Sequence, residues 1–206
     1  DELCKVMFRI TDYVMAFAPI AVFAAIASAI TIQGPKLILD YSIFIGQFYV
    51  GLLILWTILI SFGYIFLKKD VFRLMKVVRE PTMLAFATAS SESAYPKTMD
   101  ALDKFGVPKR ITSFVLPLGY SFNLDGSMMY MAFAVLFIAQ AYNIDLSFTQ
   151  QALILLTLMI TSKGIAGVSR ASIVVIASTL AMFKLPEAGI LLILAVDQFL
   201  DMGRTA

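Results

Sequence analysis

The sequence predicts an all-α membrane protein with several spans, one interrupted helix and two re-entrant helical hairpins that enter from opposite faces. Three observations carry this prediction. The 206 residues are 60% hydrophobic and 15% charged, whereas soluble domains carry about 25% charged residues. Apolar runs approach the ~20 residues that cross a bilayer, and backbone in lipid must satisfy its own polar groups, so such runs are helices. Two later segments are cut by polar residues into halves too short to span. No strand alternation supports a barrel.

A first span is expected over residues 13–32, ended by Gly34-Pro35, and a second over residues 43–67, closed by Lys68-Lys69-Asp70. A first hairpin is expected at about 71–103, with Ser90-Ser91-Glu92-Ser93 at its tip. The stretch 107–142 is too long for one simple span and holds Gly119-Tyr120-Ser121-Phe122-Asn123-Leu124-Asp125-Gly126-Ser127, so an interrupted helix is expected there. A second hairpin is expected at about 149–184, cut between Ser162 and Ser172. Each half has about a dozen residues, roughly 18 Å of helix at 1.5 Å per residue, or about half a bilayer. A last helix is expected to start within 187–206.

The basic residues test the topology. Lys68, Lys69, Arg73, Lys76, Arg79, Lys97, Lys104, Lys109 and Arg110 crowd one region, while the loop after the first span has only Lys36 and the link before the last segment only Lys184. The positive-inside rule then places the N-terminus and the 68–110 region in the cytoplasm. That holds only if each hairpin returns to the side it entered from, as an inverted repeat would require. The chain begins at Asp1 without a signal peptide pattern, and it is expected to be an internal piece of a longer polytopic protein.

Several chemistries are excluded. One cysteine (Cys4) and no histidine leave no disulfide framework and no His/Cys metal site. No Gly-rich phosphate loop follows a strand. Catalysis is unsupported, since Ser162-Lys163 has no further constellation, and no cofactor is expected. A channel is a further alternative, but two closing hairpins fit alternating access better.

Ionisable groups inside a membrane are costly, so Glu92, Asp125, Lys163, Arg170, Asp197, Asp201 and Arg204 are the candidate functional residues. Asn123 and Asp125 in a Gly-flanked break form a hard-oxygen set suited to an alkali cation, sodium above all, or to a proton. The alternative is a kink with Asp125 as a helix cap. Asp197, Asp201 and Arg204 at i, i+4, i+7 share one helix face. Arg204 would hold a carboxylate and Asp201 an ammonium, clamping an amphoteric solute. The alternative is an internal Asp201–Arg204 pair. At the first tip, helix N-termini favour an anion. The alternative is a plain polar loop. Glu92 repels an anion unless protonated or paired; Lys163 and Arg170 are candidate partners or, alternatively, charges that face water at the outer mouth.

Four motifs in this order resemble the dicarboxylate/amino acid:cation symporters, the glutamate transporter family, over essentially the whole chain. They are Ser90-Ser91 with Pro96, Asn123-Leu124-Asp125-Gly126-Ser127, Gly164-Ile165-Ala166-Gly167-Val168, and Asp197 with Asp201-Met202-Gly203-Arg204-Thr205. The resemblance implies two helices of scaffold and transport domain in 1–67, a transport core in 68–206, a homotrimer, and elevator-type transport in a bacterial inner membrane. It implies substrate binding by Ser90, Ser91, Ser127, Gly167, Val168, Asp201, Arg204 and Thr205. It places Gly119, Ser121, Asn123, Asp125, Ser162, Lys163, Ile165 and Asp197 in the cation region. An arginine that members carry at the position of Ala89 or Met202 is absent, and Arg170 is expected to replace it. Leu124 and Ser127 stand for the family's Met and Thr, and Ser169-Arg170 for its Pro-Gly, which brings proton coupling beside sodium coupling. The expected function is uptake of glutamate or aspartate with a proton or sodium. The alternative is a C4-dicarboxylate symporter.

Overall fold

The computed structural model describes residues 36–163, 165 and 170–206, with five isolated positions before residue 36. The span expected at 13–32 lies almost wholly outside these residues, as do Gly167 and Val168. Among the described residues the structure is helical and holds no strand.

Helix α1 (Lys36–Leu67) is 32 residues long and starts seven residues before the predicted span, directly after the Gly34-Pro35 pair. Lys68, with φ 50°, turns the chain out of it. In its most apolar 18-residue window only 6% of the residues are buried. The helix is therefore not the core of a soluble fold: Leu53, Ile65 and Phe66 present their side chains outward. The second stretch long and apolar enough to cross a membrane is Lys109–Ala141.

Helices α2 (Asp70–Thr88) and α3 (Ser91–Phe105) form a hairpin packed along its length. Ala89 takes a left-handed conformation at φ 48°, and its N–H closes α2 on the Phe86 carbonyl. Ser90 caps α3 by accepting from the Ser93 N–H at 3.4 Å. The tip is tighter than the sequence indicated. Ser91, Glu92 and Ser93 form the first turn of α3, and only Ala89-Ser90 links the two helices.

The long apolar stretch is interrupted where expected. Helix α4 (Lys109–Phe122) ends, Asn123 and Leu124 leave helical geometry, and α5 (Asp125–Ala141) begins. Asp125 is the first residue of α5, and no side chain caps that helix; this replaces the reading of Asp125 as a cap. The two halves have different fates. Helix α4 buries only Thr112, whereas α5 buries Ser127, Tyr130, Met131, Ala132, Ala134, Val135, Ile138 and Ala139. Helices α6 (Phe148–Thr161) and α7 (Ala171–Met182) form the arms of the second predicted hairpin. The sequence starts α6 cleanly, because Ser147 and Gln150 make a reciprocal capping box.

The last segment is not one continuous helix. A 3-10 turn (Glu187–Gly189) and α8 (Ile190–Leu194) are followed by a turn at Ala195-Val196, and α9 (Asp197–Thr205) starts anew. Carbonyls released around such a break need donors. Tyr41 of α1 supplies one, donating to the Leu192 carbonyl ahead of the break, and Tyr49 of the same helix ties down α9 by donating to the Phe199 carbonyl in its first turn, each at 2.8 Å.

The core is α5, enclosed by α1, α6, α7 and α9. Phe44 stacks on Phe137 at 4.2 Å between ring centres, and Phe48 meets Tyr130 and Phe133 edge-on. Lipid tails are as apolar as leucine, so packing and small residues hold membrane helices together. Gly126 is such a residue: a Cβ there would collide with the backbone of Arg204. Gly203 likewise lets α9 lie against Phe48, Tyr49 and Leu52 of α1.

Gly126→Ala in the full-length protein is expected to lower stability by about 1–3 kcal/mol through overpacking. Gly46→Ala, at a position with no neighbour within 4 Å, is expected to be neutral or stabilising. Equal melting temperatures for the two variants would contradict the close α5–α9 contact.

Candidate functional site

Helix α9 is polar along one side, and that side points inward. Asp197 and Asp201 are completely buried and Arg204 is 9% exposed. Their 3.6-residue spacing sets all three on one face, as the sequence indicated. Charges taken out of water must be neutralised by partners and hydrogen bonds.

Each of these charges has its partners. Arg204 Nε donates to Asp201 Oδ1, and Arg204 Nη1 donates to Ser127 Oγ on α5 at 2.7 Å. The other oxygen of Asp201 accepts from the Arg170 backbone N–H at 2.9 Å. Arg170 Nε lies 3.2 Å from Asp197 Oδ2, an ion pair without hydrogen-bond alignment. Tyr130 donates its hydroxyl to Asp197 Oδ1. Thr205 is fixed by its own helix, its hydroxyl donating to the Asp201 carbonyl at 2.6 Å. Two carboxylates and two guanidiniums thus form a quartet of zero formal charge.

The internal Asp201–Arg204 pair, raised as an alternative to a solute clamp, is present. Arg170 binds the α9 face through both its side chain and its N–H. It does so from a left-handed conformation at φ 66°, immediately before α7. Its contacts and those of Lys163 run to Asp197, Asp201 and Phe122, not to the Glu92 that they were candidates to pair with. Glu92 lies in the first turn of α3, where the helix dipole favours a negative charge.

Beside the quartet lies a cavity of about 400 Å³, a size that suits a small-molecule site. Ser91 at the first hairpin, Gly119 and Asn123–Ser127 at the interrupted helix, and Gly203–Ala206 on α9 line it together. The structure therefore brings Ser91, Ser127, Arg204 and Thr205 of the predicted substrate set to one space. Ser90 is not part of that lining and serves as the cap of α3. Asp201 is not on the cavity wall; Arg204 and Ser127 stand between.

The predicted cation residues divide into groups. Gly119, Asn123 and Asp125 face the cavity, with Asn123 and Asp125 exposed, and the Gly119 carbonyl accepts the Asn123 N–H at 2.9 Å. Ser121 lies on the last turn of α4. Ser162 is buried at the end of α6, and Ile165 follows it, its N–H directed at the Ser162 carbonyl at 3.4 Å. Lys163 reaches across to α4, donating from Nζ to the Phe122 carbonyl at 2.6 Å. Asp197 belongs to the buried quartet instead.

Sequence reasoning missed Tyr130. Its signal was a lone Tyr inside the apolar run after Asp125, since a buried Tyr hydroxyl needs a partner. It also missed Ser172, whose hydroxyl is buried on the first turn of α7 without a hydrogen-bond partner among the described residues.

The model of the sodium:dicarboxylate symporter family matches residues 1–206. The chain belongs to that family. Its members are transporters and not enzymes. A proton/sodium-glutamate symport protein of Bacillus caldotenax is 44% identical over 98% of the chain and 48% of its own length. The proton/glutamate-aspartate symporter of Escherichia coli is 40% identical over 100% of the chain and 47% of its own length. C4-dicarboxylate transport protein 1 of Ralstonia nicotianae is 38% identical over 99% and 48%. The chain spans about half the length of these relatives.

Tyr130→Phe leaves a buried carboxylate oxygen without its donor and is expected to cost on the order of 1–3 kcal/mol, read as a lower melting temperature. The same change made on top of Asp197→Asn is expected to cost less. An identical cost in both backgrounds would show that the hydroxyl does not act on Asp197.

Proposed function

We propose that the full-length protein is a multi-pass secondary symporter of a bacterial inner membrane that takes up glutamate or aspartate together with a proton or sodium. The observation that carries this reading is Arg204 and Ser127 at the wall of the cavity, with Asp201 bonded to Arg204 from behind that wall. A solute carboxylate would replace Asp201 and Ser127 on the Arg204 fork, and its ammonium would take the carboxylate that Arg204 releases. Ser91 and the N-terminal turn of α3 supply donors for the second carboxylate, joined by the Thr205 hydroxyl once it leaves the Asp201 carbonyl. Gly167 and Val168 complete the proposed site from the second hairpin.

Charge balance supports cation coupling. The quartet is neutral, and an acidic amino acid brings a net charge of −1. A charge of that kind is costly in a low-dielectric interior without a counter-ion. Asn123, Asp125 and the carbonyls of the helix break are the oxygen ligands offered to the accompanying cation, with Ser121, Ser162 and Ile165 contributing from neighbouring turns. The two helical hairpins serve as re-entrant gates, Glu92 and Arg170 set the charge at their tips, and a homotrimer of elevator-type subunits is the assembly that the family membership supports.

A second reading has its own observation. Asp201 is fully buried and already accepts two hydrogen bonds, while the cavity wall itself presents Arg204, Ser127 and Thr205. That wall suits a C4-dicarboxylate, which has no ammonium for Asp201 to hold.

Uptake into proteoliposomes of full-length protein separates the two. Labelled aspartate and glutamate are expected to enter under a proton or sodium gradient, and Asp201→Asn is expected to reduce that uptake at least tenfold. Succinate uptake that survives Asp201→Asn, with no amino acid uptake by the unmodified protein, would establish the second reading.

A further inference from the structure

Lys163 carries a charge that the proposed site does not use. It stands one residue beyond Ser162, which closes α6, and its own N–H is bonded to the Ile160 carbonyl at 3.2 Å. Its side chain crosses to the other interrupted element and donates to the Phe122 carbonyl, the last of α4, at 2.6 Å. Among the described residues it makes no ion pair, so Asp125 and the other carboxylates do not account for its position. The Lys163 backbone thus belongs to the carbonyl end of α6, and its ammonium sits on the carbonyl end of α4, which carries a partial negative charge. Unwound carbonyls and half-helix C-terminal ends are the groups that coordinate a transported alkali cation. An ammonium matches sodium in charge, carries three donors and no acceptor, and is tethered to the chain.

We propose that the Lys163 ammonium is a resident cation of the break between α4 and α5, seated on the Phe122 carbonyl where an alkali ion would otherwise be bound. The inference rests on reading that break as the cation region. Its consequence concerns ion specificity: the Phe122 carbonyl is held by a charge that the protein supplies and that does not travel with solute, which leaves Asn123, Asp125 and the other oxygens of the break to the accompanying cation. Lys163 is a specificity-determining residue that suppresses sodium binding at this position.

The test uses the purified full-length protein in detergent, with sodium chloride exchanged for choline chloride at constant ionic strength. Lys163→Met is expected to gain a sodium-dependent rise in melting temperature beyond that of the unmodified protein, because a ligand that binds only the folded state stabilises it. Its apparent sodium affinity is expected to be at least tenfold higher. Lys163→Arg, which keeps the charge, is expected to respond as the unmodified protein does. If Lys163→Met folds poorly in choline, recovery of folded protein in sodium is the same result. An unchanged sodium response in Lys163→Met, equal responses in Lys163→Met and Lys163→Arg, or no folded Lys163→Met in either salt would overturn the inference. Melting is read without solute, so a failure of acidic-solute uptake would refute the functional reading separately and leave this outcome intact.

Discussion

Two aspartates on a nine-residue helix have been taken out of water, and the rest of the architecture answers that constraint. Burying a charge without a partner costs several kcal/mol. Asp197 and Asp201 are therefore met by Arg204 from their own helix, by the side chain and N–H of Arg170, and by Tyr130 from α5. These partners come from three elements, so the quartet fixes the relation of α5, α7 and α9. Gly126 lets α5 approach close enough for Ser127 to reach Arg204. The turn at Ala195-Val196 starts α9 at Asp197, where the helix dipole favours a carboxylate. Tyr41 of α1 then satisfies the Leu192 carbonyl ahead of that turn, and Tyr49 holds α9 at the Phe199 carbonyl.

Much of this was legible from residue order. The interruption at Asn123-Leu124 followed from polar and small residues inside an apolar stretch, and the structure breaks the helix there. The common face of Asp197, Asp201 and Arg204 followed from helical periodicity alone. Other features depend on contacts between residues far apart in the chain, which local pattern does not encode. Tyr130 and Asp197 are 67 residues apart, and Tyr49 and Phe199 are 150 apart. The break before α9 lies in an apolar run without glycine or proline, so no local signal announced it. The first hairpin's tip was read too broadly, because a serine-rich tetrapeptide looks like a loop although Ser91 to Ser93 are helical under the Ser90 cap. In the sequence Lys163 is a candidate partner of Glu92 and, through the resemblance, a residue of the cation region, and only the fold brings its ammonium to α4.

The same quartet connects structure to selectivity. Its formal charge is zero, so any acidic solute adds negative charge to the interior and calls for a cation. Aspartate and succinate differ in a single group, the ammonium, and in the proposed function Asp201 is the residue that would receive it. In the structure Asp201 is held by Arg204 and the Arg170 N–H. On that proposal, recognition of an amino acid requires Arg204 to exchange one carboxylate for another. Recognition of a dicarboxylate requires only that Arg204 accept a second one.

The exchange at Arg204 is the central claim, and a structure of the full-length protein with bound aspartate tests it most directly. The account predicts that the Arg204–Asp201 contact opens, with a solute carboxylate on the Arg204 guanidinium and the solute ammonium within hydrogen-bond reach of Asp201. An intact Arg204–Asp201 pair, with aspartate bound elsewhere, would contradict it.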